Sequence, residues 1–80
     1  MNEHVVALEL DCRALPGPMP VIDLARHLDD VEVGELLAVV ARDAAAEVDV
    51  PAWCRMKAQD YLGADTADDG APRYVVRRLT

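Results

Sequence analysis

The run Leu36-Leu37-Ala38-Val39-Val40-Ala41 has no polar residue to turn toward water. Without a two-residue alternation, such a segment reads as a central strand covered or flanked by neighbours, expected over Glu35 to Arg42. The rest of the chain has to supply those neighbours. His4-Val5-Val6-Ala7-Leu8-Glu9-Leu10 is rich enough in Val and Leu to form a first strand. Between the two, Pro18 to about Asp30 carries Val21, Leu24, Ala25 and Leu28 at the three-four spacing of one buried helical face, with Asp23, Arg26, His27 and Asp30 pointing outward. Strand, helix, strand in that order predicts a parallel pair joined by a right-handed crossover.

The second half is less regular. Ala44-Ala45-Ala46-Glu47 favours helix, but Val48, Val50 and Pro51 interrupt it, so a short turn is expected over Asp43 to Asp49. The second helix is expected to begin at Asp49, an N-cap with Pro51 close behind, and to end at Gly63. Tyr61 and Leu62 fit either its last turn or the start of a third strand. Ala64 to Ala67 is a weak strand, Asp68-Asp69-Gly70 a turn, and Arg73 to Leu79 a final strand, together a hairpin at the sheet edge. The order β-α-β-α-β-β gives an α+β two-layer α/β sandwich with a four-stranded mixed sheet and two helices on one face. Residues 1–80 make a single domain. With Trp53, Tyr61 and Tyr74 its only aromatics, its core rests on Val, Leu, Ile and Ala.

A net charge of −7 disfavours nucleic acid and anionic membrane as partners, because such binding is driven by neutralising phosphate, and it suits a basic protein partner. There is no basic-plus-apolar leader and no run of roughly 18 apolar residues, so a cytoplasmic chain without a membrane span is expected. Two cysteines, Cys12 and Cys54, are too few for a disulfide framework and are expected as thiols.

Chemistry concentrates in Leu10-Asp11-Cys12-Arg13-Ala14-Leu15-Pro16-Gly17-Pro18-Met19-Pro20, where a strand ends and a helix starts. Pro18 suits a first helical turn, since its φ is preset and its missing N–H has no partner there. The residue before it faces the positive end of the helix and its unpaired N–H groups, surroundings that attract anions and lower a cysteine pKa. That residue is Gly17, which has no side chain to use them. Cys12 beside Arg13 is either a thiolate stabilised by that charge or a small hydrophobe tucked under the loop. Cys54, next to Trp53 in a helix, reads as packing, and a redox disulfide with Cys12 depends on a separation the sequence does not set. Arg13, Arg42, Arg55 and Lys57 read by default as isolated surface charges, and Arg13 and Arg55 could receive an anionic ligand or an acidic partner if the fold brings them to the loop. His4 and His27 lack metal-ligand spacing, the chain contains no Ser, and no phosphate-binding glycine motif appears, so neither metal nor cofactor is expected.

Asp11, Arg13 and Leu15, followed by Gly17-Pro18-Met19-Pro20, resemble the TusA/SirA-like small sulfur carrier proteins, whose signature is Asp-x-Arg-x-Leu followed by Cys-Pro-x-Pro. Gly34 to Val39, Asp43, Asp49 to Arg55 and Tyr74 to Arg78 continue the resemblance downstream. It implies a persulfide-bearing sulfurtransferase whose partners are a cysteine desulfurase or a downstream relay protein. At the position of the family's persulfide cysteine this chain has Gly17. Two expectations follow: Cys12, or in second place Cys54, substitutes as the catalytic sulfur carrier, or the chain is a noncatalytic adaptor that kept the scaffold. In both, Arg13, Gly17, Pro18, Met19, Pro20 and Arg55 are expected to meet the partner.

Overall fold

In the computed structural model, which describes residues 5–80, every residue of strand β2 (Leu36–Val40) is buried, as its unbroken apolar run requires. Strand β1 (Leu8–Asp11) pairs with it in parallel, Leu8 opposite Leu37 and Leu10 opposite Val39. Strand β4 (Pro72–Arg77) pairs with it antiparallel on the other side and strand β3 (Asp60–Thr66) closes the edge, giving the order β1-β2-β4-β3. The mixed four-stranded sheet and its edge hairpin are as expected. His4, placed in the first strand by its sequence, lies outside the described residues.

The two sheet faces are buried by different means. On one, Leu10, Leu37, Val39, Tyr74 and Val76 pack against helix α1 (Met19–His27) and helix α2 (Ala45–Lys57) through Leu24, Ala46, Val50, Trp53 and Cys54. A fully buried leucine such as Leu24 contributes about 2 kcal/mol through its apolar area. On the other face Leu36, Ala38 and Val75, with Val6 and Leu62, have no helix above them. Charged side chains reach across instead. Arg73 bridges Glu9 (3.0 Å) and Asp65 (2.9 Å), and Arg77 meets Asp60 (3.5 Å). The arginine stems cover apolar surface while their heads stay paired.

Several boundaries differ from expectation, among them the first strand, which starts at Leu8 and leaves out Val5 to Ala7, and the last, which ends at Arg77 and not at Leu79. Helix α2 starts at Ala45 instead of Asp49, because Asp43 Oδ1 accepts the Ala45 N–H (2.9 Å) and Ala45 and Ala46, good helix formers, make its first turn. Pro51 therefore lies inside the helix, where it cannot donate to the Glu47 carbonyl. The helix ends at Lys57, not at Gly63: Ala58 turns left-handed at φ +59° and the Gln59 N–H reaches the Cys54 carbonyl (2.9 Å). Gln59 then fixes the C-terminus, donating to the Thr80 carbonyl (3.2 Å) and accepting the Leu79 N–H (2.7 Å). Tyr61 and Leu62 thus belong to β3, which is longer than Ala64 to Ala67, and Gly63 follows a bulge at Leu62. Helix α1 is extended to Asp30 by a 3₁₀ turn over Leu28–Asp30. Among the described residues no helix is long and apolar enough to cross a membrane.

Candidate functional site

The corner between β1 and α1 is made by two successive turns. The Leu15 N–H donates to the Cys12 carbonyl (3.1 Å) and the Met19 N–H to the Pro16 carbonyl (3.2 Å). Gly17 sits at φ +56°, a left-handed conformation glycine enters at no steric cost. Pro18 follows at φ −80°, and its carbonyl accepts the N–H groups of Val21 and Ile22. One carboxylate ties this corner to the second helix. The Gly17 N–H donates to Asp43 Oδ2 (2.8 Å), while Asp43 Oδ1 holds the Ala45 N–H. These two bonds, that from Gly17 foremost, keep the Asp43 carboxyl below the usual carboxylate range.

The corner therefore does not offer the set of open N–H donors expected at a helix start. Those of Gly17 and Met19 are spent on Asp43 and Pro16, and Pro18 and Pro20 have none. Its outward surface is apolar: Pro18 is exposed, Met19 is 36% and Ile22 42% exposed. A Cβ built on Gly17 would meet nothing within 4 Å, so the position itself is open. Pro20 is fully buried, which keeps it from a partner's reach.

Cys12 lies directly behind this corner with none of its surface exposed. Its thiol donates to Asp23 Oδ2 (3.5 Å), a residue expected to point outward but half-buried at the inner edge of α1. Burial first, then the hydrogen bond and negative charge of Asp23, push the Cys12 thiol up to about 12. The expectation that Arg13 stabilises a Cys12 thiolate is corrected here, because Arg13 turns away from the sulfur. Its guanidinium pairs with Asp11 (3.0 Å) and Asp69 (3.0 Å), and Arg42 reaches the same Asp69 oxygen (2.6 Å). Held chiefly by Arg13, the Asp69 carboxyl falls to about 2. The clasp joins the loops after β1 and β2 to the β3–β4 turn.

Cys54 is 1% exposed in the helix-side core, and burial, with the charge of Asp60, pushes its thiol up to about 11. Both cysteines are free thiols. Arg55 is exposed on α2 and takes no part in the ion pairs of the described residues. The residues that sequence reasoning missed are Asp23, Asp69 and the bonding role of Asp43. A signal for Cys12 was present, since Leu8, Leu10 and Cys12 alternate with Glu9, Asp11 and Arg13 and so share the inward face.

One relative, from Archaeoglobus fulgidus and bearing the name "Putative sulfur carrier protein", is 33% identical over 69 residues, covering 86% of this chain and 90% of its own length. Two from Bacillus subtilis bear the same description. YrkF is 30% identical over 86% of this chain, which spans only 37% of that longer protein. YrkI is 33% identical over 76% of this chain and 79% of its own length. A family model described as Sulfurtransferase TusA matches residues 8–78. From the start of β1 to just past the end of β4, then, this is a member of the TusA family of sulfur carrier proteins.

Proposed function

We propose that the chain works in sulfur transfer between proteins as a docking member of its family, engaging a persulfide donor or acceptor protein through the corner at Gly17 without holding the sulfur there. One observation carries this reading: the open position has no thiol, and the two thiols are buried, which pushes both up, away from the thiolate. Persulfide relay needs a thiolate that attacks the donor's outer sulfur and releases the donor thiol, which glycine cannot do. Met19, Ile22 and Pro18 supply apolar contact surface at the same corner. The role belongs in the cytoplasm, where reducing conditions keep Cys12 and Cys54 as the thiols they are.

A second reading has one observation in its favour. Cys12 lies in the corner's own loop, so an opening of that loop that also separates its thiol from Asp23 would present a sulfur nucleophile. Incubation with a cysteine desulfurase and cysteine, followed by intact mass measurement, separates the two. Under docking, the mass is unchanged and the desulfurase binds wild type and Cys12→Ala alike. A gain of one sulfur that vanishes in Cys12→Ala overturns that reading in favour of the second.

A further inference from the structure

A groove of about 280 Å³ runs between the two helices, lined by Pro18 just before α1, by Val21 of α1 and by Asp49, Ala52, Trp53 and Met56 of α2. It is continuous with the Gly17 corner through Pro18. Its lining is apolar except for Asp49, and Met56 is 73% exposed. Asp49 differs from the acids of the sheet side. There Glu9, Asp11, Asp60, Asp65 and Asp69 are each paired with an arginine. Asp49 is half-buried, and no hydrogen bond or ion pair among the described residues reaches its carboxylate. A carboxylate held against apolar walls loses hydration and gains from a cation brought to it.

We infer that this groove binds a lysine or arginine side chain of a partner protein, carried beside an apolar residue that covers Met56. The methylene stem suits the walls formed by Val21, Ala52 and Met56, and the cationic head suits Asp49 near the Trp53 ring. The net charge of −7 draws a basic partner and orients its approach. This names the chemistry of the partner in the docking reading and rests on that reading.

The test is titration of the isotope-labelled full chain, followed by NMR, with capped leucyl-arginyl-leucine amide and with the same peptide carrying neutral citrulline in place of arginine. The arginine peptide is expected to shift the signals of Val21, Ala52, Met56 and the Trp53 indole saturably, and to bind roughly two- to fivefold more tightly than the citrulline peptide. Asp49→Asn, which breaks no hydrogen bond, should erase that difference, and Ala52→Leu, which fills the groove, should abolish binding of both. Equal affinities in wild type, a difference that survives Asp49→Asn, no binding of either peptide, or shifts confined to the acids of the sheet side would each overturn the groove. Failure here leaves the Gly17 corner standing, whereas sulfur gained at Cys12 in the mass experiment overturns the docking reading and leaves this titration unaffected.

Discussion

The Gly17 corner and the buried thiol of Cys12 occupy one short loop and divide between them what a working thiol needs. Gly17 has access, a helix start behind it and no side chain, while Cys12 has sulfur, no access and a negative neighbour in Asp23. Reactivity in a cysteine depends on both exposure and thiolate fraction, so neither site suffices alone. The comparison teaches that the fold fixes the place for chemistry independently of whether a chemical group stands there.

Four experiments sharpen or break it. Gly17→Cys has the largest expected effect: a chain that takes up no sulfur from a cysteine desulfurase should take up one, read as intact mass. The left-handed φ costs a non-glycine residue roughly 1 kcal/mol, about 4–8 °C in Tm for a domain of this size. Failure of the folded variant to load would show that access and a thiol are not enough at this corner.

Next comes the rate at which Cys12 of the native chain is alkylated by iodoacetamide. Raising a thiol from 9.0 to about 12 lowers its thiolate fraction near neutral pH by roughly a thousandfold, before burial slows it further. Modification should be negligible at pH 8 and become fast on denaturation. The same shift has a stability consequence. The unfolded thiol loses its proton near pH 9 and the folded one does not, so this contribution is intact below that pH and is lost as pH rises from 9 toward 12, with Cys54 acting in the same sense up to about 11. A Tm that holds flat from pH 8 to 11 would contradict the burial of both thiols.

Asp43→Ala should lower Tm by several degrees and broaden the amide signals of residues 15 to 19, since it frees the Gly17 and Ala45 N–H groups together. Asp43→Asn, with one acceptor oxygen, should fall between. Because these bonds depress the Asp43 pKa, the stability they add is present above about pH 4 and is lost as pH falls through the folded value. The smallest effect belongs to Asp69→Asn, which loosens a clasp exposed to solvent. Its Tm change should be slight at physiological salt and grow at low salt, and it should vanish as pH drops from about 4 to about 2.

How far the fold could be read follows from which forces act locally. The β2 run and the Asp68-Asp69-Gly70 turn carry their signals within a few residues, and both appear where expected. The start of α2 was misplaced because Pro51 resembles a first-turn proline, while the alanines and the Asp43 cap that draw the helix four residues earlier act together. Its end was misplaced because Ala58, not a glycine, takes the left-handed position. At the candidate site, the strand-to-helix corner and the missing thiol were legible in Gly17-Pro18. The bond from Gly17 to Asp43 and the carboxylate beside Cys12 join residues distant in the chain, and only packing brings them together.

Because the Gly17 to Asp43 bond begins at a backbone nitrogen, a residue that replaces the glycine keeps the donor, and the left-handed φ is the cost that remains. One substitution at position 17 therefore decides whether this corner carries a thiol, while its tie to the second helix is kept.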